Sequence, residues 1–288
     1  MRAFGSIFRD GTVFGRLLRT PRALFGAVVI LVVLAGALGA DWLMPFDSED
    51  MDFDSLLLGP SWPHVLGTDQ LGRDTLSRLI LGTQVALQVS LGAVGLGVLL
   101  GVPLGLVAVT IGGWIDDAIM RVMDAVVVFP ALLVAVALAA AIGNSLSTVI
   151  LAIGIANVPW LARITRAQAL ALRELDFVAA AQAAGTSTIK LMYRHILPNA
   201  VAPVIVQATL GMGYAVLAEA ALGFIGVGVT PPTPTWGNML QAAFPFLEKQ
   251  PVLSVAPGVA IFLLVLAFNL LGDALRDILD PRLRGVVR

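Results

Sequence analysis

The chain contains no cysteine, only two histidines and, as its only lysines, Lys190 and Lys249. Without cysteine, disulfides, iron–sulfur clusters and thiolate zinc sites are excluded. His64 and His195 lie far apart in sequence, so we predict no metal site. Neither lysine belongs to a Gly-x-x-x-x-Gly-Lys-Ser/Thr phosphate loop, and the chain is therefore not expected to be an ATPase. No Ser/His/Asp grouping suggests hydrolysis, and we predict no enzymatic activity and no cofactor bound by this chain.

Charged residues are also scarce. Only 13% of the residues are charged and 58% are hydrophobic, and the mean hydropathy is +0.91. A soluble globular protein of this composition would have too few polar residues to cover its surface. The formal net charge of −1 gives no sign of the extended basic surface that binds nucleic acid. The composition predicts a membrane protein with several spans and no nucleic-acid partner.

Long apolar runs are the dominant feature of the sequence. A hydrocarbon core about 30 Å thick needs roughly 20 mostly apolar residues in a helix, because every backbone polar group must be paired within the segment. These runs predict an all-α integral membrane protein with six transmembrane helices. Their approximate bounds are 23–40, 84–110, 118–142, 146–162, 201–226 and 253–271.

The positions of arginine and lysine predict the orientation, because cytoplasmic flanks retain basic residues. With the N-terminus inside, fifteen basic residues lie on the inner side, and only Arg73, Arg78 and Lys249 lie outside. Both termini are then cytoplasmic. A cleaved signal peptide is the alternative for the basic, then apolar, start of the chain. The long basic leader and the nearly full-length apolar run favour a retained first span.

This orientation divides the chain into three parts. Residues 1–45 form a cytoplasmic segment and the first transmembrane helix, and residues 46–83 form an acidic extracytoplasmic loop. Residues 84–288 form a core of five transmembrane helices, in which residues 163–200 are a cytoplasmic loop.

The segment 177–199 combines small residues, a glycine break and basic residues. Asp176 is expected to cap an alanine-rich helix that another protein can approach closely. Gly185 is expected to break this helix, and Thr186 or Ser187 to cap a second, short helix that Pro198 ends. From the residues alone, a protein-docking bracket and an amphipathic loop resting on lipid headgroups both remain open.

The same stretch resembles the cytoplasmic loop shared by permease subunits of ATP-binding-cassette (ABC) importers. Ala180, Ala181, Gly185 and the ending 196–198 match its pattern, whereas the glutamate of the pattern is Ala179 in this chain. That difference weakens any expectation of a carboxylate anchor at this position.

Longer motifs extend the resemblance over almost the whole chain. The chain is similar to the dipeptide, oligopeptide and nickel permease family in "HVLGTDQLGRDTLSRLILG" (64–82), "AEAALGFIGVGVTPPTPTWGNML" (218–240) and "LLGDALRDILDPRLR" (270–284). Its start, "LLRTPRALFGAVVI" (17–30), resembles the N-terminal module of the C-type subunits.

The resemblance implies the fold of a type I ABC importer permease in a bacterial cytoplasmic membrane, translocating di- or oligopeptides by alternating access. It implies as partners a second, homologous permease, two cytoplasmic ATPase subunits holding ATP and Mg, and an extracytoplasmic solute-binding protein, with lipid around the spans. It also implies an ATPase-coupling loop, whose expected residues are Phe177, Ala180, Ala181, Gly185, Thr186, Ser187, Lys190, Arg194 and Pro198.

Polar residues inside the predicted spans are costly enough to suggest a role in the translocation path or in helix contacts. The candidates for the path are Gln84, Gln88, Asn157, Gln207, Tyr214, Glu219 and Asn269. For any single residue, a hydrogen bond between helices is the favoured alternative. Glu219 is expected to support packing more than to bind substrate.

Two loops leave alternatives open. Residues 64–82 either dock the binding protein or form a turn in which an Asp–Arg pair positions the second span. Proline stiffness and an interfacial Trp236 explain residues 231–236 as a membrane-edge loop.

Other transport functions remain as alternatives. Nickel, glutathione or another small solute competes with peptides as the cargo within the resembled family. A proton-coupled secondary carrier, with Glu219 or Asp124 relaying protons, is the rival from another class, but no internal repeat supports it.

Overall fold

The computed structural model describes residues 20–279, and its regular secondary structure over this range is helical. The helices are α1 (Pro21–Leu38), α2 (Ala40–Leu43), α3 (Thr75–Ile111), α4 (Gly113–Val128), α5 (Ala131–Ile142), α6 (Leu146–Arg173), α7 (Asp176–Ala183), α8 (Thr188–Leu191), α9 (Leu197–Phe224), α10 (Trp236–Ala243) and α11 (Val252–Leu279). A π-helical turn, Met192–Ile196, joins α8 to α9, and a 3₁₀ turn, Phe244–Phe246, follows α10.

Within residues 20–279, five helical segments are long and apolar enough to cross a membrane: α1, α3, α6, the run Thr188–Phe224 and α11. A sixth span exists if α4 and α5 are taken together. The prediction of an all-helical, multi-spanning fold is confirmed.

The third predicted span is not the continuous helix that we expected. It consists of α4 and α5, which meet at an angle of 85°. Phe129, between them, has an extended backbone (φ −80°, ψ 122°). The cause is Pro130, which has no N–H to donate and disfavours the helical conformation of the residue before it.

The packing of α3 against α6 forms the centre of the bundle. On α3, a Cβ atom added at Gly101 would lie 2.7 Å from the carbonyl oxygen of Val158, and one at Gly105 would lie 2.5 Å from that of Ala162. Helices inside a membrane gain little from the hydrophobic effect, so close approach through small residues is a main source of their packing energy. The helices α9 and α11 add a core that includes Val216, Leu264 and Phe268.

The connection from α2 to α3, residues 44–74, folds over the N-terminal end of α3, which we call the loop end of the bundle. Asp74 caps α3 by accepting a hydrogen bond from the backbone N–H of Ser77 at 2.8 Å, and its other oxygen lies 2.9 Å from Nδ1 of His64. Asp69 pairs with Arg73 at 2.7 Å. The Asp–Arg pair expected from the structural interpretation of this loop is therefore present, and α3 begins nine residues before the expected start of the second span at Gln84.

Trp236 was expected at the membrane interface, and this prediction is wrong. The side chain is only 2% exposed. Its indole N–H donates to the carbonyl oxygen of Leu79 at 3.0 Å, which joins α10 to α3. Gly82 permits this contact, because a Cβ atom there would lie 2.8 Å from the Trp236 ring.

Candidate functional site

The segment between α6 and α9 turns sharply at Gly185. This residue has a positive φ of 75°, in the region that glycine adopts without strain. The backbone N–H groups of Gly185 and Thr186 donate to the carbonyl oxygens of Gln182 and Ala181 at 2.9 and 3.1 Å. These two bonds form a Schellman motif, which satisfies carbonyl groups at the end of α7. The predicted glycine break is confirmed.

Of the predicted caps of this segment, Asp176 is wrong, and Ser187 is right in position but not in its hydrogen bond. The N-cap of α7 is Leu175, and Asp176 is the first residue of the helix. Ser187 occupies the N-cap position of α8, but within the described chain its side chain makes no capping hydrogen bond. An acidic residue in the first turn still interacts favourably with the helix dipole, which explains why Asp176 suits that position.

Pro198 does not end a helix, contrary to the prediction. The helical run continues from Thr188 to Phe224, and Pro198 lies in the first turn of α9, directly after the π-helical turn. The missing N–H of Pro198 is accommodated by the change from π-helical to α-helical hydrogen bonding at this point of the run.

One face of the segment is buried against the ends of α3 and α6 that are farthest from the loop end. Val178 and Ile196 are fully buried, and they belong to a cluster that includes Leu106 and Val109 of α3 and Ala169 of α6. The guanidinium of Arg173 also donates to the carbonyl oxygen of Val109 at 2.8 Å. The segment is thus anchored to α3 and α6 at a few buried positions, while most of its other residues are exposed.

The opposite face is apolar and exposed. Phe177 is 41% exposed, Ile189 68% and Tyr193 57%. Ala180 and Gly185 are exposed between them, and no other described atom lies within 4 Å of a Cβ added at Gly185. We call these five residues the α7–α8 surface. Exposed apolar surface on a rigid support is typical of a protein-docking site.

The remaining residues expected in the coupling loop lie beside this surface. Ala181 is partly packed against the buried cluster. Thr186 is half-buried, whereas Ser187, Lys190 and Arg194 are exposed.

Two ion pairs that the sequence did not reveal join α4 to α6. Arg166 donates to both carboxylate oxygens of Asp116, each at 2.6 Å. Arg163 donates to Asp124 at 2.7 Å, in a more exposed pair. The signal was Asp124 inside the third apolar run and Asp116 just before it, because charges in or beside such a run need a partner or water.

Two of the candidate path residues, Gln84 and Gln88, line a cavity of about 380 Å³ at the loop end of the bundle. We call it the loop-end cavity. Its other polar lining residues are Glu49, Asn144, Ser145, Thr230 and Thr233. The side-chain amide of Gln84 also donates to the carbonyl oxygen of Ala37 at 2.9 Å, which links α3 to α1.

The other path candidates do not converge on this cavity. Asn157 is buried and donates to the carbonyl oxygen of Ile153 in its own helix at 2.9 Å. Glu219 is 2% exposed; it receives a hydrogen bond from Thr235, and its Oε1 has no partner within the described chain.

The last three candidates lie on α9 and α11. Gln207 is half-buried, Tyr214 is 50% exposed, and Asn269 of α11 is exposed. Exposure of this kind fits a water-filled path or a contact with another subunit equally well.

Family models match two parts of the chain. Residues 95–285 match the family described as "Binding-protein-dependent transport system inner membrane component". Residues 11–60 match "N-terminal TM domain of oligopeptide transport permease C".

Curated relatives match nearly the full length. The glutathione transport system permease protein GsiD of Pectobacterium atrosepticum is 40% identical over 271 residues, covering 94% of this chain and 90% of that protein. The dipeptide transport system permease protein DppC of Alkalihalophilus pseudofirmus is 41% identical over 272 residues, with coverage of 94% and 90%.

Among solved structures, an inward-facing form of the MetNI methionine ABC transporter contains a similar chain. The TM-score is 0.59 at 18% sequence identity, and the match covers 74% of this chain and 98% of that one. At this identity the likeness concerns the fold alone, and it confirms the expected permease fold.

Proposed function

Since the chain belongs to the family of binding-protein-dependent transport system inner membrane components, we propose that it moves di- or oligopeptides across the membrane as one permease subunit of an ATP-driven importer. The observation that carries the cargo assignment is the similarity at 40–41% identity to permeases named for a dipeptide and for glutathione. Glutathione is itself a small peptide, so the two names share one substrate chemistry. Nickel or another small solute remains the alternative cargo.

The chain is a multi-pass membrane permease and not an enzyme, and permeases of this family work with an ATPase and a substrate-binding protein. We propose the full assembly as this chain, a second homologous permease, two ATPase subunits and one extracytoplasmic binding protein. ATP and Mg would be held by the ATPase subunits. The proposed orientation places both termini and the α7–α8 surface in the cytoplasm, in agreement with the positions of the basic residues.

The α7–α8 surface is proposed to be the seat of an ATPase subunit. Its exposed side chains provide the apolar contact, and its buried side, at Val178 and Ile196, is packed on α3 and α6. A displacement of the seated helix therefore has to move the ends of these two spans, because packed cores do not deform continuously. Closure of the ATPases on ATP would in this way change the side of the membrane to which the permease opens.

A secondary carrier would need a protonatable group that faces water. Glu219 does not meet this requirement, because it is 2% exposed and buried against Thr235. Asp124 is 65% exposed but forms an ion pair with Arg163 at 2.7 Å, which favours a structural role. The burial of Glu219 counts against the carrier and supports the ATP-driven proposal.

The proposal is tested by reconstituting this chain with its partner subunits in liposomes. We expect uptake of labelled dipeptides that requires ATP and the binding protein and that survives collapse of the proton gradient. Uptake that persists without ATP but stops with the gradient would overturn the ATP-driven mechanism. Uptake of Ni²⁺ with no uptake of peptide would overturn the cargo.

A further inference from the structure

The loop-end cavity is built from four separate parts of the chain. The α3 helix contributes Gln84 and Gln88, and the turn before α6 contributes Asn144. The segment 229–234 contributes Thr233, and the connection after α2 contributes Glu49. A volume of about 380 Å³ lies within the range of pockets that hold small molecules. The convergence of these segments places polar groups on several sides of one small space.

Several of these polar groups are available to a ligand. Among residues 20–279, the exposed side-chain amide of Gln88 has no hydrogen-bond partner. The amide nitrogens of Gln84 and Asn144 donate to the backbone at Ala37 and Gly226, which leaves their carbonyl oxygens open. The lining thus offers both donors and acceptors that are neutral, as a peptide bond requires.

Glu49 is the charged member of the cavity lining. The guanidinium of Arg78 attracts Glu49 electrostatically, but its direct contacts are with other groups: it donates to the carbonyl oxygen of Ser48 at 3.0 Å and lies 3.7 Å from Asp69. Within the described residues, Glu49 has no ion pair and its side chain is exposed. Its carboxylate is therefore open to a cationic group on a ligand.

Apolar side chains complete the cavity. Leu81, Val85, Leu146 and Val229 lie among the polar groups. A small pocket that combines apolar walls with a few polar groups suits a ligand that has both kinds of surface. Short peptides have this character, since apolar side chains alternate with amides along them.

The cavity also lies at the end of the bundle that receives cargo in the proposed orientation. Gln88 and Leu106, where the α7–α8 segment is anchored, are 18 positions apart on α3, which corresponds to about 27 Å along a helix. This distance is close to the thickness of the hydrocarbon core, about 30 Å. The cavity and the α7–α8 surface therefore lie near opposite faces of the membrane.

The geometry points to a peptide subsite in the loop-end cavity, where Glu49 binds the N-terminal ammonium group and the amides of Gln88 and Asn144 bind the first peptide bond. This assignment rests on the proposed function and deepens it, because it names the part of the cargo that this chain recognises. It predicts that a peptide with a blocked N-terminus binds poorly here, whatever the binding protein selects.

The absence of cysteine provides a direct test. Thr230→Cys places one thiol in the wall of the cavity, and Ser61→Cys places one on the exposed loop at the same end as a control. In nanodiscs that hold the assembled transporter without binding protein, maleimide labelling of this chain is measured with Ala–Ala and with N-acetyl-Ala–Ala. When the concentration of Ala–Ala is ten times its Kd for the loop-end cavity, the peptide should slow labelling of Thr230→Cys about tenfold. The acetylated peptide and the Ser61→Cys control should show little or no effect.

Substitution of the carboxylate makes the test specific. Adding Glu49→Gln should remove the advantage of Ala–Ala over its acetylated form, because the amide cannot balance the ammonium charge. Asp50→Asn, one residue away in the same exposed loop, is the matched control and should keep the advantage. Retained preference in Glu49→Gln, or its loss in Asp50→Asn, would overturn the role of Glu49.

The same preparations distinguish failure of the peptide subsite from failure of the proposed peptide transport. If dipeptides are taken up by the complete importer but never protect Thr230→Cys, the subsite is refuted and the peptide function stands. If peptides are not taken up and Ni²⁺ alone protects the thiol, both are refuted. Protection by glutathione with the same dependence on Glu49 supports the subsite, because glutathione also has a free ammonium group and peptide amides.

Discussion

Arg166 and Asp116 are joined by two parallel hydrogen bonds of 2.6 Å, which tie α4 to α6. The pair is largely shielded, with the side chain of Asp116 15% exposed and that of Arg166 33% exposed. A bidentate arginine–carboxylate pair has both charge and geometry in its favour. It provides a fixed attachment for a helix that is bent away from its continuation, α5, by 85°.

Removal of this pair should destabilise the protein. Arg166→Ala is expected to lower the free energy of unfolding by about 2 kcal/mol, because two charge-assisted hydrogen bonds are lost and Asp116 is left unpaired. The measurement is a denaturation curve of the purified protein in mild detergent. Arg163→Ala is the control, and its more exposed pair with Asp124 should be worth less than about 1 kcal/mol. Equal losses in the two variants would contradict the prediction.

Replacement of Gly185 by valine should uncouple ATP hydrolysis from transport. A β-branched residue at a φ of 75° costs roughly 1–2 kcal/mol or more, so the Schellman turn is expected to rearrange. We expect the variant to insert and assemble, with ATP hydrolysis retained and peptide uptake reduced at least about tenfold.

Two substitutions control for this effect. Gly185→Asn should be milder, because asparagine tolerates a positive φ. Gly258→Val adds the same side chain to α11, where no described atom lies within 4 Å of the new Cβ, and should transport normally. Normal uptake by Gly185→Val would refute the coupling role of the turn.

Truncation of Phe177 should weaken attachment of the ATPase. The side chain is 41% exposed on the α7–α8 surface, and in the assembled transporter it would be buried against the partner. Phe177→Ala should lower the affinity for the isolated ATPase subunits about tenfold or more, because buried aromatic anchors contribute strongly to interfaces. The affinity can be measured by immobilising nanodiscs that contain the permease on a sensor surface and titrating the ATPase subunits over them. Phe262→Ala removes a phenylalanine from α11 that is 62% exposed and should leave the affinity unchanged.

Addition of one methyl group at Gly105 should loosen the centre of the bundle. The new Cβ would lie 2.5 Å from the carbonyl oxygen of Ala162 and 2.9 Å from the side chain of Thr165. Gly105→Ala is therefore expected to cost about 1–3 kcal/mol of unfolding free energy. Gly95→Ala, on the same helix, adds a methyl group that would have no described atom within 4 Å. It should be neutral or slightly stabilising, since alanine favours the helix over glycine by about 1 kcal/mol.

Helices that hydropathy alone can identify were predictable, and contacts between distant residues were not. The bounds of α11 and α6 contain the predicted apolar runs, because a membrane requires long apolar helices whatever their neighbours are. The buried Trp236 donates a hydrogen bond to Leu79, which is 157 positions away in the sequence. No local sequence pattern predicts such a contact. The bend at Pro130 was missed because the apolar run continues on both sides of it.

In the candidate sites too, features set by the local sequence were predictable and contacts between distant segments were not. Gly185 was predictable because a glycine after a run of helix formers indicates a helix end with a positive φ. The cap at Asp176 was wrong because the helix begins one residue earlier than expected, and Ser187 occupies the predicted N-cap position without making the capping hydrogen bond. Gln84 and Gln88 are one turn apart and were expected together, but their cavity partners Glu49 and Thr233 come from loops whose course the sequence pattern does not specify.

The α3 helix has 37 residues and is therefore about 55 Å long, well beyond the thickness of the hydrocarbon core. Asp74 caps its N-terminal end, and its other end packs against the α7–α8 segment. In the proposed orientation, a helix of this length reaches both aqueous compartments. We therefore expect docking of a loaded binding protein at one end to change the rate of ATP hydrolysis at the other, without a diffusible signal.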